Sequence, residues 1–145
     1  MTHTLYAHNR LEADRLVLAR YMPQFELRNN EGTLCFEGWQ STNSGRRYRL
    51  RLLLPPGYPD ERPDLLVVWP TWLRKHDGGT IASEGASHSF HSLGGTDEGY
   101  LRLCHTSSWN PWLTCLAVFL KGVIWLAAYD AHLATGRPLS DFVRS

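Results

Sequence analysis

The sequence predicts an α+β protein with an N-terminal helix, a four-stranded antiparallel meander, a long polar loop and a long central helix packed on the sheet. Three observations carry this. Leu11, Leu18 and Met22 fall on one line of a helix. Arg47, Arg49 and Arg51 alternate with Tyr48, Leu50, Leu52 and Leu54, the period of a strand with one wet and one dry face. Residues 113–126 are apolar apart from Thr114, Lys121 and Gly122, as in a helix buried on most sides. A length of 145 residues suits one domain, 1–145, with one core.

The first helix is expected over Asn9–Met22 and ends at Pro23, which cannot continue it. Arg10, Glu12, Asp14, Arg15 and Arg20 fill much of its remaining surface as a solvated face. Strands follow at Phe25–Arg28 and Thr33–Gln40, joined through Asn29–Gly32, whose Asn and Gly tolerate left-handed backbone. After Asn43-Ser44-Gly45 the alternating strand runs from Arg47 to Leu54. Residues 54–63, L-P-P-G-Y-P-D-E-R-P, hold four prolines and form a rigid, extended connection, because each proline removes a donor and fixes φ. Leu65–Trp69 is the fourth strand. Residues 70–98, rich in Gly, Ser and His without periodicity, read as a loop, and a loop of that length is usually functional or partly disordered. The apolar helix then passes Tyr129, His132 and Leu133 to a stop at Gly136.

Charge and cysteine content narrow the function. Fifteen basic and fourteen acidic residues, well mixed, give a formal net charge of +1 and no broad footprint for nucleic acid. The apolar run 112–128 is at the lower limit of a membrane span and carries Lys121 near its centre, at a cost of roughly 2.5–3.5 kcal/mol, so a buried helix is the expectation and a membrane is not. Three cysteines at spacings of 69 and 11 make no disulfide framework, and M-T-H-T-L-Y-A-H lacks the regions of a signal peptide, which points to the cytoplasm. His88, His91, Cys104 and His105 are zinc-type ligands, but their spacing matches no strong zinc signature, so no metal or cofactor is expected.

The chemistry is expected in G-Y-L-R-L-C-H-T-S-S-W-N-P-W-L-T, residues 99–114. Cys104 is followed by His105, Thr106, Ser107 and Ser108, polar surroundings in which a thiol is accessible and a protonated histidine would lower its pKa. Cys35, mid-strand, and Cys115, in the apolar helix, read as packing residues.

The order of elements resembles the ubiquitin-conjugating enzyme fold, including its bacterial members. Three motifs carry the likeness. Tyr48-Arg-Leu-Arg-Leu followed by Pro55-Pro56-Gly57-Tyr58-Pro59 and Pro63 is similar to that family's strand and proline segment. Trp109-Asn-Pro-Trp-Leu-Thr114, with Pro111, resembles its Trp-Ser-Pro-x-Leu-Thr opening of the helix after the active site. Gly99-Tyr-Leu-Arg-Leu resembles the strand that presents the catalytic cysteine, although the register of that cysteine falls on Arg102 and the available thiol is Cys104. Two readings follow from the resemblance. In one, Cys104 accepts a ubiquitin-like protein as a thioester from an activating enzyme and passes it to a target amine, in a bacterial modification or antiphage defence system. A shift of two residues along a strand is roughly 6–7 Å and keeps the same face. In the other, the domain is inactive and binds a ubiquitin-like protein or an activating enzyme. A small metal- or membrane-associated protein built on the 112–128 helix is a third reading, and a thiol hydrolase is chemically conceivable.

The family's His-Pro-Asn triplet is absent. His88 and His91 are the nearest candidates for its supporting role, with His105, Ser108 and Asn110 as further polar groups. Arg10, Arg15 and Arg20 are where the resemblance places contacts to an activating enzyme.

Overall fold

In the computed structural model, which describes residues 5–143, the chain runs α1 (Leu5–Tyr21), β1 (Glu26–Asn30), β2 (Thr33–Ser41), β3 (Arg47–Leu53), β4 (Asp64–Trp69), β5 (Ala86–Ser87), β6 (Ser92–Gly95), β7 (Leu101–Leu103) and α2 (Cys115–Thr135). Short 3-10 turns lie at Ile81–Glu84 and Leu139–Asp141. The α+β class stands, but the sheet has seven strands in the order β1-β2-β3-β4-β7-β6-β5, all antiparallel, and not the four expected. The additional strands come from residues 86–103, most of which the sequence reads as loop. β5, Ala-Ser, and β6, Ser-Leu-Gly-Gly, are too short and too poor in large side chains to display an alternation in the sequence.

The hairpin β1–β2 turns on Glu31 and Gly32, with φ of 53° and 90°. Positive φ at both central residues suits the right-handed twist of the flanking strands. Asn29 Oδ1 accepts from the Gly32 amide at 2.8 Å and closes the turn. β3 alternates as its sequence requires, with Tyr48, Leu50 and Leu52 buried.

Both helices cover one face of the sheet. Leu18 of α1, Met22 just past its end, Leu50, Leu52, Leu65, Val67, Leu101 and Leu103 of the sheet, and Val118, Phe119, Trp125 and Leu126 of α2 form one core. The rings of Phe25 and Phe119 stack at 3.8 Å. α2 begins at Thr114, whose hydroxyl accepts from the Ala117 amide at 3.1 Å, and ends at Gly136 in left-handed backbone. Gly122 lies mid-helix despite a cost of about 1 kcal/mol, because a Cβ there would stand 2.9 Å from Leu65 Cδ2. α2 is not buried on all sides: Leu120 and Ile124 are 49% and 48% exposed. By length and composition α2 also suffices to cross a membrane, while its Val118, Phe119 and Leu126 face lies against the sheet.

The opposite face carries no helix among the described residues. There Glu37, 5% exposed, is clamped by Arg49 and Arg51. Trp39 lies under the Arg47 and Arg49 guanidiniums, at 4.5 and 5.4 Å, and edge-on to Trp69.

Two outcomes follow. Gly38 faces the core, and a Cβ on it would sit 1.9 Å from the Gln24 carbonyl oxygen, which is backbone and cannot step aside cheaply. Gly38→Ala is expected to destabilise the protein by about 1–3 kcal/mol in urea unfolding. Burial raises the Glu37 pKa, but hydrogen bonds and charge from Arg51 and Arg49 outweigh it and hold the carboxyl below its ordinary 4.5. A folded pKa below the unfolded one means the contribution is full above about pH 4.5 and is lost as pH falls through the folded value. Glu37→Gln is expected to flatten that acid limb of a stability-against-pH curve, leaving the slope near neutrality unchanged.

Candidate functional site

The site is assembled from the proline segment upward. His105 Nε2 bonds the Pro63 carbonyl at 2.8 Å, and Trp109 Nε1 donates to the Pro59 carbonyl at 2.8 Å. The His105 and Trp109 rings meet edge to face at 5.9 Å, and Trp109 also lies 6.3 Å from the Tyr58 ring. The motif residues Tyr58, Pro59, Pro63 and Trp109, distant in sequence, thus form one support under the loop 104–114. Pro111 joins it from the other end: Arg10 donates to the Pro111 and Leu113 carbonyls. Asp14, 3% exposed, accepts from Arg10, from the Tyr58 hydroxyl and from the Cys115 amide. The Tyr58 hydroxyl also lies 3.1 Å from Cys115 Sγ, and burial pushes both the Tyr58 phenol and the Cys115 thiol well up. Gly99, at φ 85°, is held against the Trp72 indole, which a Cβ would meet at 2.5 Å.

Of the three arginines expected to meet a partner, Arg10 is turned inward to this network. Arg15 pairs with Glu12 at the surface and Arg20 lies over the Tyr21 ring.

Cys104 lies one residue past β7 and is half-buried, whereas Cys35 and Cys115 are fully buried. Burial, with the Glu37 carboxylate, raises the Cys35 pKa. Cys104 lines a largely apolar cleft of about 130 Å³, floored by Val118 and Trp125 of α2, with Lys121 and Ser107 also on its wall. A second depression, toward His88 and Ser92, shares Cys104, His91 and Ser107 with it. The thiol therefore stands where two clefts meet. Its own hydrogen bond is long, 3.7 Å to the Thr106 carbonyl.

Arg102 does not share this position. It lies on the face of β7 opposite Leu101 and Leu103, opposite Leu66 and Gly94 in register, and donates to the Leu93 carbonyl at 3.0 Å. β7 ends at Leu103, and Cys104, one residue past it, lines the cleft beside α2 while its amide still pairs with the His91 carbonyl.

The expected supporting groups separate. His91, 5% exposed, stands beside Cys104, since its carbonyl accepts from the Cys104 amide at 2.9 Å and its side chain lines both clefts. His88 is exposed and its ring lies 5.1 Å from that of His91. His105 lines the cleft but is committed to Pro63. Burial, aided by the Arg62 charge and opposed by the Pro63 bond, keeps it below the ordinary imidazole range, so it does not supply a cation to the thiol near neutrality. Asn110 spends its side chain on the Trp112 amide at 2.8 Å, and the Ser108 backbone closes a local turn with Thr106. Lys121 and Trp125 are not among the expected site residues, whereas Ser107 is one of the polar residues the sequence sets after Cys104. Lys121 reads in sequence as a flaw in an apolar run, and only the fold places it on the cleft that Cys104 lines. Among the described residues no group of three His, Cys, Asp or Glu side chains lies close enough to hold a metal ion.

A partly exposed thiolate precursor in a cleft can act as a nucleophile toward an acyl group. In the native protein, iodoacetamide is expected to alkylate Cys104 and to spare Cys35 and Cys115 until denaturant is added, as peptide mass mapping would report. Comparison with known proteins returned no matching family model, no matching curated protein and no matching solved structure.

Proposed function

We propose that the protein is a ubiquitin-conjugating-enzyme-like acyl carrier, in which Cys104 takes the C-terminal acyl group of a ubiquitin-like protein from an activating enzyme as a thioester and delivers it to an amine. The observation that carries this reading is the position of Cys104: a half-buried thiol at the junction of two clefts, on a loop braced by Pro59, Pro63 and Trp109. Those bracing residues are the ones on which the sequence resemblance rests. A thioester suits the task because a thiolate attacks acyl groups readily and the product remains reactive toward amines. The two clefts give an acyl donor and an amine separate approaches to one sulfur. The proposed setting is a bacterial modification or defence system, in the cytoplasm, with no nucleic acid or membrane as partner.

Arg102 favours a second reading. The family register falls on a side chain that cannot form a thioester and that is engaged with the Leu93 carbonyl. In that reading the domain binds a ubiquitin-like protein or an activating enzyme without catalysis.

A peptide ending in glycine and activated as a small-thiol thioester separates the two. Exchange onto the protein is expected to give a hydroxylamine- and reductant-sensitive adduct, lost in Cys104→Ala and retained in Cys35→Ala. Absence of any adduct at Cys104, with the protein folded, would favour the binding module.

A further inference from the structure

The turn that carries His91 is held from three sides. The His91 amide donates to the His88 carbonyl at 3.1 Å, Trp125 Nε1 of α2 donates to the Phe90 carbonyl at 2.9 Å, and the Ser140 amide donates to the Ser89 carbonyl at 3.0 Å. His91 itself adopts φ of 46°. Left-handed backbone is unfavourable for a non-glycine residue and persists only where the surroundings impose it. The imposed conformation places His91 in the wall shared by both clefts and sets its carbonyl against the Cys104 amide. Nε2 is enclosed there and has no hydrogen-bond partner. An enclosed polar atom without a partner calls for an explanation, and Cys104, whose thiol makes only the long bond to Thr106, is a proton-bearing residue that lines the same two clefts; such catalytic bonds often tighten only when substrate is bound.

We propose that His91 is the general base of this site, accepting the Cys104 thiol proton at Nε2 as the sulfur attacks. The step balances without any further reactant. The S–H bond breaks and its proton passes to Nε2, the sulfur pair forms the bond to the acyl carbon, and the imidazolium proton leaves with the departing group. When an amine attacks the thioester, its proton goes to Nε2 and the thiolate departs. With the ring proton on Nδ1, Nε2 presents the lone pair that both steps need. Burial, and the nearby His88, hold His91 below the ordinary imidazole range, so the ring rests neutral near pH 7. The titratable groups around it are His88 on its own turn, Cys104 and His105 after β7, and Lys121 on α2.

This inference rests on Cys104 as the nucleophile but not on the identity of the acyl donor, so its test uses a small alkylating agent. The rate of iodoacetamide reaction at Cys104 is measured between pH 6 and 9 in the wild type and in His91→Asn, since asparagine also tolerates left-handed backbone. The variant is expected to react about tenfold more slowly at pH 7, with its profile displaced upward by about one unit. Equal rates and superposable profiles in a variant that melts cooperatively would overturn the proposal. The wild type supplies a measurement that needs no variant: the acid-side loss of Cys104 alkylation rate is expected to follow protonation of the His91 ring as read by NMR. A rate profile that does not follow the His91 titration would also overturn it. Loss of thioester exchange with intact coupling between His91 and Cys104 would refute the carrier function alone.

Discussion

The buried Asp14 carboxylate is the contact on which the geometry of the site depends. It receives Arg10 from its own helix, the Tyr58 hydroxyl from the proline segment and the first amide of α2. Removing such a charge from water costs several kcal/mol, and the cost is offset only when the partners are close and the remaining lone pairs are filled. Arg10 extends the arrangement by binding two carbonyls of the turn before α2. Three segments that share no backbone pairing are thereby fixed to each other at one end of the cleft. Cys115 contributes packing beneath them, as its burial and its contact with Tyr58 indicate.

The loop that follows β7 is tied at both flanks and loose between them. His105 and Trp109 anchor it to carbonyls that proline residues present without competing amides of their own. Between those anchors the Thr106 hydroxyl and the Ser108 backbone bond each other, and the Thr106 carbonyl accepts only the long bond from Cys104. Such a construction positions a thiol yet leaves room beside it. The proline segment thus acts as a rail of acceptors for side chains that arrive from forty residues or more later in the chain.

Much of this fold was legible because its signals are local. The alternation of β3, the turn-forming residues near Gly32, and the apolar run of α2 bounded by Thr114 and Gly136 are each properties of a few adjacent residues. The strands β5 and β6 left no such mark, since their pairing is decided by partners elsewhere. Asp14 and Arg10 read as a solvated helix face because amphipathicity counts charges without knowing that Tyr58 and the α2 terminus will surround them. The cysteine was legible as a candidate from its polar neighbours. Its backbone pairing with His91 was not, because the β6–β7 hairpin creates it and the left-handed residue there is not a glycine that would announce it. His105 carried the opposite lesson: adjacency in sequence suggested a thiol partner, and the fold turned it to Pro63.

The strand that delivers the thiol lies inside the sheet, bonded to β4 on one side and β6 on the other. Its partner β4 ends at Trp69 and β7 begins at Leu101, so the pairing closes a long interval of chain. Contacts across such separations form slowly, because the loop entropy must be met before the pairing contributes. The meander β1–β4 is local and can assemble ahead of it. Cys104 is therefore expected to be among the last parts of the molecule to reach its place, since the cleft it lines is not complete until the whole sheet has closed. A partly folded chain would expose its three thiols alike, without the cleft that sets Cys104 apart.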